Sequence, residues 1–382
     1  MTHTTYFEQG YENDFRHPKV YGRYLPSSEI YKALQIFDFL NPELQAQSVE
    51  DEPLYLYRIG SGERRILAWS QMHGNESTTT KALLDLLYFI RQNEAFRDYF
   101  ESNISFYFIP VLNPDGANAY TRFNANGVDL NRDAKDLTQP ESRFLRKALD
   151  LVNPQLCLNL HDQRTIFSAG SARKPATVSF LSPSVDPDRS VTEVRKQSMR
   201  LIALMREYLE KFIPGCVGRY DDAFNDNCVG DQFQSLGIPT ILFEAGHFPG
   251  DYMRENTRKY VAMSLVRLLE GFIEIKSLQV PHTAYFSIPE NEKRFYDLII
   301  TGYRFSEGEE VNLGIQLKEV KKNNNIIFRP ELADFGSLND KYGHSEVSSD
   351  LIRMESRAAA EITPDFLEEV FENNSMLLHR FR

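Results

Sequence analysis

Continuous apolar runs alternate with amphipathic segments through most of the chain, and this alternation is the feature that most limits its possible folds. The runs ISFYFIPVL (104–112), LCLNL (156–160) and PTILFEAG (239–246) are apolar throughout, rather than at every second residue. A strand of this kind is buried on both faces, which requires helices on both sides of its sheet. The sequence therefore predicts an α/β fold in which helical layers enclose the sheet.

Local patterns add further elements to this prediction. Apolar residues at helical spacing indicate helices, and short apolar runs indicate strands: the helices at 27–40, 77–93, 140–152, 189–212 and 255–274, the strands at 54–60 and 64–70. The pattern changes near residue 281, after which YFSI, FYDLIITGYRF, VNLGIQLKEV and NIIFRP are β-like, with a turn at 323–325 and a short helix at 364–372. We predict a large α/β domain over 1–283 and a small β-rich module over 284–382.

The charge balance excludes two classes of partner. The chain has 54 acidic and 43 basic residues, a net charge of −11, and no basic patch beyond pairs such as Lys321-Lys322. Nucleic-acid phosphates and anionic membranes would repel such a surface. No apolar stretch reaches the roughly 18 residues of a spanning helix, and the N-terminus lacks a secretory pattern. Cys157, Cys216 and Cys228 are odd in number and lack CxxC spacing, which argues against a disulfide framework and a cysteine zinc site and favours reduced thiols. We expect a cytoplasmic protein that binds neither nucleic acid nor membrane, of unknown oligomeric state.

The motif HGNE (73–76) directly follows the strand RILAWS and opens a helix. Its position matters because α/β folds place their sites at the carboxyl ends of sheet strands. His73 and Glu76 are three residues apart, so both side chains can turn toward one point, and imidazole with carboxylate suits zinc. Alternatively, His73 is a loop histidine and Glu76 a first-turn carboxylate that faces the positive end of the helix dipole.

A second imidazole follows a different strand, since His161 comes directly after LCLNL. A single histidine at such a position is commonly a hydrogen-bonded structural residue. Two histidines and one glutamate with a fourth position open, however, form a ligand set that catalytic zinc uses. The HExxH motif is absent from the chain.

The most specific stretch is NPDGANAYTRFNANGVDLNRDA (113–134), a turn-rich connection that carries Arg122, Asn131 and Arg132. Guanidinium groups held on such a loop suit amide hydrolysis, one to stabilise a developing oxyanion and one to hold a carboxylate. The alternative is a surface loop with solvated arginines.

Glu244 lies near the end of the apolar strand PTILFEAG. Burial of a carboxylate is unfavourable unless it is paired or its pKa is raised, and a raised pKa suits a general base near neutral pH. We therefore interpret Glu244 as a general acid/base.

In their order, these motifs resemble those of the zinc carboxypeptidase family (peptidase family M14) over roughly residues 50–275. The resemblance implies an α/β/α sandwich with a mixed eight-stranded sheet. It implies that His73, Glu76 and His161 bind Zn²⁺, and that Arg122 polarises the scissile carbonyl and stabilises its oxyanion.

The resemblance also assigns the substrate side of the site. It implies that Asn131 and Arg132 bind the terminal carboxylate of the substrate and that Glu244 is the catalytic glutamate. The family commonly has a mobile tyrosine before this glutamate that covers the bound C-terminus, and Tyr220 is the candidate here, with Phe224 competing for the position.

One motif differs from the family pattern, and one further stretch bears on substrate preference. The common continuation NRNF or NRDF is replaced by Asn131-Arg132-Asp133-Ala134. Residues between the tyrosine and the glutamate shape the pocket for the terminal side chain in the family. Asp226 and Asp231 lie in this stretch, and an acidic pocket floor would favour a basic terminal residue. The alternative for either aspartate is a solvated position on the surface.

The sequence therefore predicts a zinc metallocarboxypeptidase that hydrolyses the C-terminal amide bond of peptides or peptide-like substrates with a free carboxylate. One alternative is a related zinc amidase or deacylase acting on a murein peptide or an N-acyl amino acid. Another is a catalytically inactive binding protein with the same fold. Metal content and a panel of substrates would distinguish the three.

Overall fold

A computed structural model describes residues 2–37, 40–274, 279–374 and Leu377. The strands, in chain order, are β1 (Pro42–Gln47), β2 (Pro53–Ile59), β3 (Arg64–Ser70), β4 (Ile104–Ile109), β5 (Leu156–Asp162), β6 (Phe167–Ala169), β7 (Val178–Leu181), β8 (Val217–Arg219), β9 (Thr240–Ala245), β10 (Asn291–Lys293), β11 (Phe295–Arg304), β12 (Glu310–Lys322), β13 (Asn325–Gly336) and β14 (Tyr342–Ser348).

The α-helices, in chain order, are α1 (His3–Gly10), α2 (Ser27–Leu34), α3 (Thr78–Gln92), α4 (Glu94–Asn103), α5 (Pro114–Ala119), α6 (Pro140–Val152), α7 (Glu193–Leu209), α8 (Val229–Ser235), α9 (Glu255–Ile273) and α10 (Pro364–Asn373). The helix predicted over 27–40 ends at Leu34, and residues 38 and 39 lie outside the described residues. Within the described ranges, no helix combines the length and apolar character needed to cross a bilayer.

The larger sheet has eight strands in the order β1-β2-β4-β3-β5-β9-β7-β8. It is mixed: β3 runs parallel to β4 and β5, and β5 runs parallel to β9, whereas β2 is antiparallel to β1 and β4, and β7 is antiparallel to β9. The side chains of β3 alternate between two cores. Ile66 and Ala68 pack with α3, α7 and α9, whereas Leu67 and Trp69 pack with α6 and α8. The predicted α/β/α sandwich with a mixed eight-stranded sheet is confirmed.

The C-terminal part of the chain forms a separate four-stranded sheet in the order β13-β12-β11-β14. Leu298, Ile300, Leu313 and Ile315 are its fully buried apolar residues on β11 and β12, and Leu367 of α10 joins the same core. The predicted β-rich C-terminal module is therefore present. Strand β14, which pairs with β11 in parallel, was not part of the prediction.

The prediction that YFSI is a β-like segment is wrong, because His282–Ser287 form a 3-10 helix. Tyr285 is fully buried in the core of the larger sheet, and its hydroxyl oxygen accepts a hydrogen bond from the backbone N–H of Ser182 at 3.1 Å. Next, β10 pairs with β6. Residues 282–293 thus contact the larger unit, while the domain limit at residue 283 stays a prediction.

Arg23 joins the two sheets through a buried polar network. Its guanidinium donates to Glu319 on β12, to Asp162 at the end of β5 and to Thr78 at the start of α3. Tyr120 also donates its hydroxyl to Glu319. The network therefore reaches from the C-terminal sheet to the carboxyl edge of the larger sheet.

Candidate active site

The HGNE loop is positioned by a glycine-to-glycine contact. The loop connects β3 to α3, and Gly74 lies directly on Gly116 of α5, the glycine of the NPDG motif. A Cβ atom at Gly74 would lie 1.9 Å from the carbonyl carbon of Gly116, so no larger residue fits there without movement of the backbone. The contact brings the HGNE motif and the NPDG motif together.

His73, Glu76 and His161 form one cluster, with ligand atoms that all lie within 4.8 Å of one another. His73 Nδ1 lies 2.8 Å from Glu76 Oε1, and His161 Nδ1 lies 2.9 Å from Glu76 Oε2. Burial lowers the pKa of His161, which favours the neutral imidazole that binds metals. Two imidazole nitrogens and a carboxylate that converge in a buried place are a donor set that fits zinc.

Asp129 orients two members of the site and was not singled out by the sequence. Its Oδ1 lies 3.0 Å from His73 Nε2, and its Oδ2 accepts hydrogen bonds from Arg122 Nε and Nη2 at 3.0 and 2.9 Å. Burial alone would raise the pKa of Asp129, but the hydrogen bond and charge of His73 and the charge of Arg122 bring it below its usual range. A carboxylate on the outer nitrogen of a ligand histidine fixes the ring and its tautomer.

Arg122 reaches the cluster from the turn-rich connection. Its Nη1 lies 3.6 Å from Glu76 Oε1 and 3.3 Å from His73 Nδ1. Its side chain is 41% exposed, so the guanidinium faces the cleft as well as the cluster. The guanidinium of Arg122 therefore lies beside the histidine–glutamate cluster.

Glu244 lies directly beside His161 in the sheet, because β5 and β9 pair in parallel with these two residues in register. Its side chain lines the same cleft as the cluster. Burial raises its pKa well above the usual range, and the negative charges of Glu76 and Asp162 raise it further. The position provides a carboxyl group able to hold a proton near neutral pH.

Asn131 and Arg132 lie on a short 3-10 turn (Leu130–Arg132), and both line the cleft. Asn131 Oδ1 accepts a hydrogen bond from the backbone N–H of Val229 at the start of α8, at 3.0 Å. Its acceptor is therefore used, and its NH₂ donor is the part suited to a carboxylate. Arg132 is exposed, and its Nη1 donates to the carbonyl of Asn131 and contacts Cys228 Sγ at 3.0 Å.

Tyr220 and Phe224 both line the cleft, so the geometry does not separate the two candidates for the capping position. The ring of Tyr220 packs edge-on against Phe167, with ring centres 5.4 Å apart. Burial raises the pKa of the Tyr220 phenol, as do the charges of Glu244 and Glu76. The tyrosine is therefore neutral and lies near both carboxylates.

Of the two aspartates predicted for the pocket floor, Asp231 lines the cleft and Asp226 does not. Asp226 is half exposed and pairs with Lys135 on the surface, so its assignment to the floor is wrong. Asp231 is buried and accepts hydrogen bonds from the backbone N–H groups of Ser184 and Asn225. Burial raises its pKa to about 6.

These residues surround a single cleft of about 780 Å³. Its walls hold the histidine–glutamate cluster, both arginines of the turn-rich connection, Glu244 and Asp231, together with Leu181, Pro183, Gly230 and Leu242. The sandwich fold and the buried cluster define an α/β protein with a candidate catalytic metal site at the carboxyl edge of its sheet.

Comparisons with known proteins agree with this description. The family described as zinc carboxypeptidase matches residues 38–150. Carboxypeptidase SOL1 of Arabidopsis thaliana is 24% identical over 218 residues, which is 50% of this chain and 44% of that protein. Carboxypeptidase 2 of Trichophyton rubrum is 27% identical over 114 residues, 29% of this chain and 20% of that protein. The chain thus spans less than half the length of these relatives.

Solved structures share the fold. A metallo-carboxypeptidase from Burkholderia cenocepacia has a TM-score of 0.51 at 16% identity, and one from Pseudomonas aeruginosa has a TM-score of 0.52 at 17% identity. Each alignment covers 66% of this chain and 68% of the other. Together with the family match and the relatives, this makes the chain similar to zinc carboxypeptidases in sequence and in fold. His161 and Glu244 lie beyond the residues that the family match covers.

Proposed function

We propose that the protein is a zinc-dependent metallocarboxypeptidase that hydrolyses the C-terminal amide bond of peptides. The observation that carries this proposal is the convergence of His73, Glu76 and His161 beside Glu244 in one cleft. These three residues would hold Zn²⁺, and Asp129 would fix the ring of His73 from behind. When bound, zinc would acidify a water molecule and polarise the scissile carbonyl.

Glu244 acts as the general base and then as the general acid. Burial and the neighbouring carboxylates raise its pKa, so a proton taken from the attacking water is retained until the amine leaves. The same carboxyl group then protonates the leaving nitrogen. The in-register position next to His161 keeps this carboxyl at the cluster.

Arg122 stabilises negative charge on the carbonyl oxygen. Asp129 holds the guanidinium through two of its nitrogens, so its orientation is set before substrate binds. Nη1 remains directed toward the cluster. Preorganisation of this kind stabilises the transition state without reorganisation during the reaction.

Arg132 and the NH₂ group of Asn131 bind the terminal carboxylate of the substrate. Asp231 and Gly230 line the same cleft, and Leu242 and Pro183 pack so closely on Gly230 that a Cβ atom there would displace them. An acidic group in this pocket favours a basic terminal side chain, lysine or arginine.

The test is incubation of the zinc-loaded protein with peptides of varied sequence, each made as a free acid and as a C-terminal amide. Mass spectrometry should show loss of one terminal residue from the free acids. Zinc-loaded protein that shortens no peptide but cleaves murein peptides or N-acyl amino acids would instead identify an amidase or deacylase. Protein that cleaves none of these would identify a binding protein.

A further inference from the structure

Two cations that the proposed reaction does not use line the cleft. Strands β6 and β10 pair in an antiparallel manner with Phe167 directly opposite Lys293. Residues opposite each other in such a pair project to the same face, and both side chains line the cleft. Arg164, three residues after His161, lines the same cleft.

Neither cation has a partner within the described part of the chain. No hydrogen bond or ion pair joins the Arg164 guanidinium or the Lys293 ammonium group to another described residue. Two other charged groups of the cleft do have partners, since Arg122 is held by Asp129 and Asp231 by two backbone amides. Even the neighbouring Arg294 is paired, with Glu292. Unpaired cations also occur elsewhere on the described surface, but these two both line the cleft of the candidate site, which points to an anionic group of the ligand.

The two cations come from chain segments next to His161, whereas the proposed carboxylate end comes from a segment next to His73. The backbone N–H of Asn131 donates to Asp129, and Asp129 contacts His73, so Asn131 lies on the His73 side. Arg164 instead follows His161 along the chain, and Lys293 pairs with the strand that comes next. A peptide with its C-terminus at Asn131 would direct its preceding residues toward Arg164 and Lys293.

We propose that Arg164 and Lys293 form an anion subsite that binds an acidic side chain, glutamate or aspartate, on the amino-terminal side of the scissile amide. This rests on the proposed function and adds a substrate class to it. A carboxylate matches the planar guanidinium, and the ammonium group adds a second charge. Lys293 comes from the region after residue 283, which gives that region a part in substrate recognition.

The test uses two peptides with the same free C-terminal residue, one with two glutamates and one with two glutamines immediately before it. We expect kcat/KM for the glutamate peptide to be roughly 5-fold higher, the size of a partly exposed ion pair. The preference should shrink at about 0.5 M salt, because salt screens such pairs. The double variant Arg164→Gln, Lys293→Gln should cleave both peptides equally, at the rate of the original protein with the glutamine peptide.

The control variant is Lys147→Gln, since Lys147 is an exposed lysine on α6 away from the cleft. It should keep the preference for glutamate. Equal kcat/KM for the two peptides in the original protein would overturn the subsite and leave the carboxypeptidase proposal intact. If neither peptide is cleaved, the proposed function fails, and equilibrium binding of the same peptides then decides the subsite: tighter binding of the glutamate peptide supports it, and equal affinity overturns it.

Discussion

Arg23 and Glu319 form an ion pair that joins the N-terminal segment to the C-terminal sheet. Arg23 Nε lies 3.1 Å from Glu319 Oε1, and the two side chains are only 5% and 22% exposed. The same guanidinium donates to Asp162, the residue after His161, and Asp162 accepts from the backbone N–H groups of Thr78 and Thr79. The C-terminal sheet is thereby connected to the chain segment that carries a proposed zinc ligand.

Replacement of Glu319 with glutamine should destabilise the protein. Glu319→Gln keeps the shape but leaves Arg23 with less compensating charge, at an expected cost of about 2 kcal/mol, below the range for fully buried pairs. Urea unfolding would measure the change. Glu331→Gln removes the exposed pair with Lys318 and should change stability by less than about 0.5 kcal/mol. An equal loss in the free energy of unfolding for the two substitutions would show that the buried Arg23–Glu319 pair stabilises the protein no more than the exposed pair does.

Removal of residues 284–382 tests the predicted domain limit. The truncated chain would lose Glu319 as well as β10, the partner of β6. We therefore expect an unstable protein with weakened zinc binding, measured by thermal unfolding and metal analysis. A soluble, zinc-bound truncated protein would instead show that the larger domain folds independently, as the sequence pattern suggests.

Asp129→Asn should weaken zinc binding without abolishing it. The asparagine fits the same space but cannot supply the charge that supports His73, and loss of such a partner costs roughly 10- to 100-fold in metal affinity. Competition with a chelator would measure the affinity. His161→Ala, which removes a proposed ligand, is the comparison and should lose the metal entirely. Unchanged affinity in Asp129→Asn would exclude the supporting role.

Glu244→Gln should reduce kcat by at least about 10²-fold, because glutamine cannot carry the proton. Zinc content should stay near one per chain, since Glu244 is not among the clustered ligands. Single-turnover assays and metal analysis on the same preparation would measure both. Near-normal turnover would refute the acid/base role.

Arg132→Ala should reduce kcat/KM for free-acid peptides far more than for amidated ones. Arg132 is exposed in the free protein, so the expected cost is about 2 kcal/mol, the lower end for loss of one partner of a charge pair. Amidated peptides should already be poor substrates and should lose little more. Equal cleavage of the two kinds of peptide by the original protein would contradict recognition of the terminal carboxylate.

Stability should fall in acid through His17, which does not line the cleft. Its Nδ1 accepts from the backbone N–H of Lys19, and its Nε2 lies 3.3 Å from the carbonyl of Ala33, an arrangement that suits the neutral ring. Burial lowers the pKa of His17 to about 4. Because this is below the unfolded value of about 6.5, the contribution is complete above pH 6.5 and is lost as the pH falls toward 4.

The expected loss from His17 is at most roughly 3 kcal/mol across that range. Urea unfolding at several pH values would measure it. His17→Gln should give a shallower pH dependence than the original protein, because glutamine does not titrate. If the free energy of unfolding of the two proteins had the same pH dependence, the loss of stability in acid would come from groups other than His17.

The parts of the fold that the sequence predicts correctly are those where local pattern and burial agree. The apolar runs of β3, β4, β5 and β9 are buried on both faces, and each appears at the predicted place. Strand β14 is a counterexample, because YGHSEVS has few apolar residues and lies at a sheet edge. The segment around Tyr285 is a second counterexample, because the burial of Tyr285 depends on contacts with residues of the larger sheet that are remote in sequence.

The residues of the site likewise divide into those that the sequence predicts and those that it does not. Motif residues that come from different strand ends converge because parallel strands deliver them to one edge, which the sequence order indicates. Asp129 lies inside the motif NGVDLNR, two residues before Asn131. That position was the one indication in the sequence that Asp129 belongs to the site. The outward position of Asp226 had no local signal, because its direction depends on how the loop before α8 meets Lys135.

The contact between Gly74 and Gly116 determines how this site can be re-engineered. Because the two motifs meet backbone to backbone, the spacing between the histidine–glutamate pair and Arg122 cannot be adjusted by repacking of side chains. At Gly230, by contrast, a Cβ atom would meet only side-chain atoms of Leu242 and Pro183, at 2.7 and 2.9 Å. Laboratory evolution toward new terminal residues should therefore accumulate changes around Gly230, while both motif glycines stay fixed in every active variant.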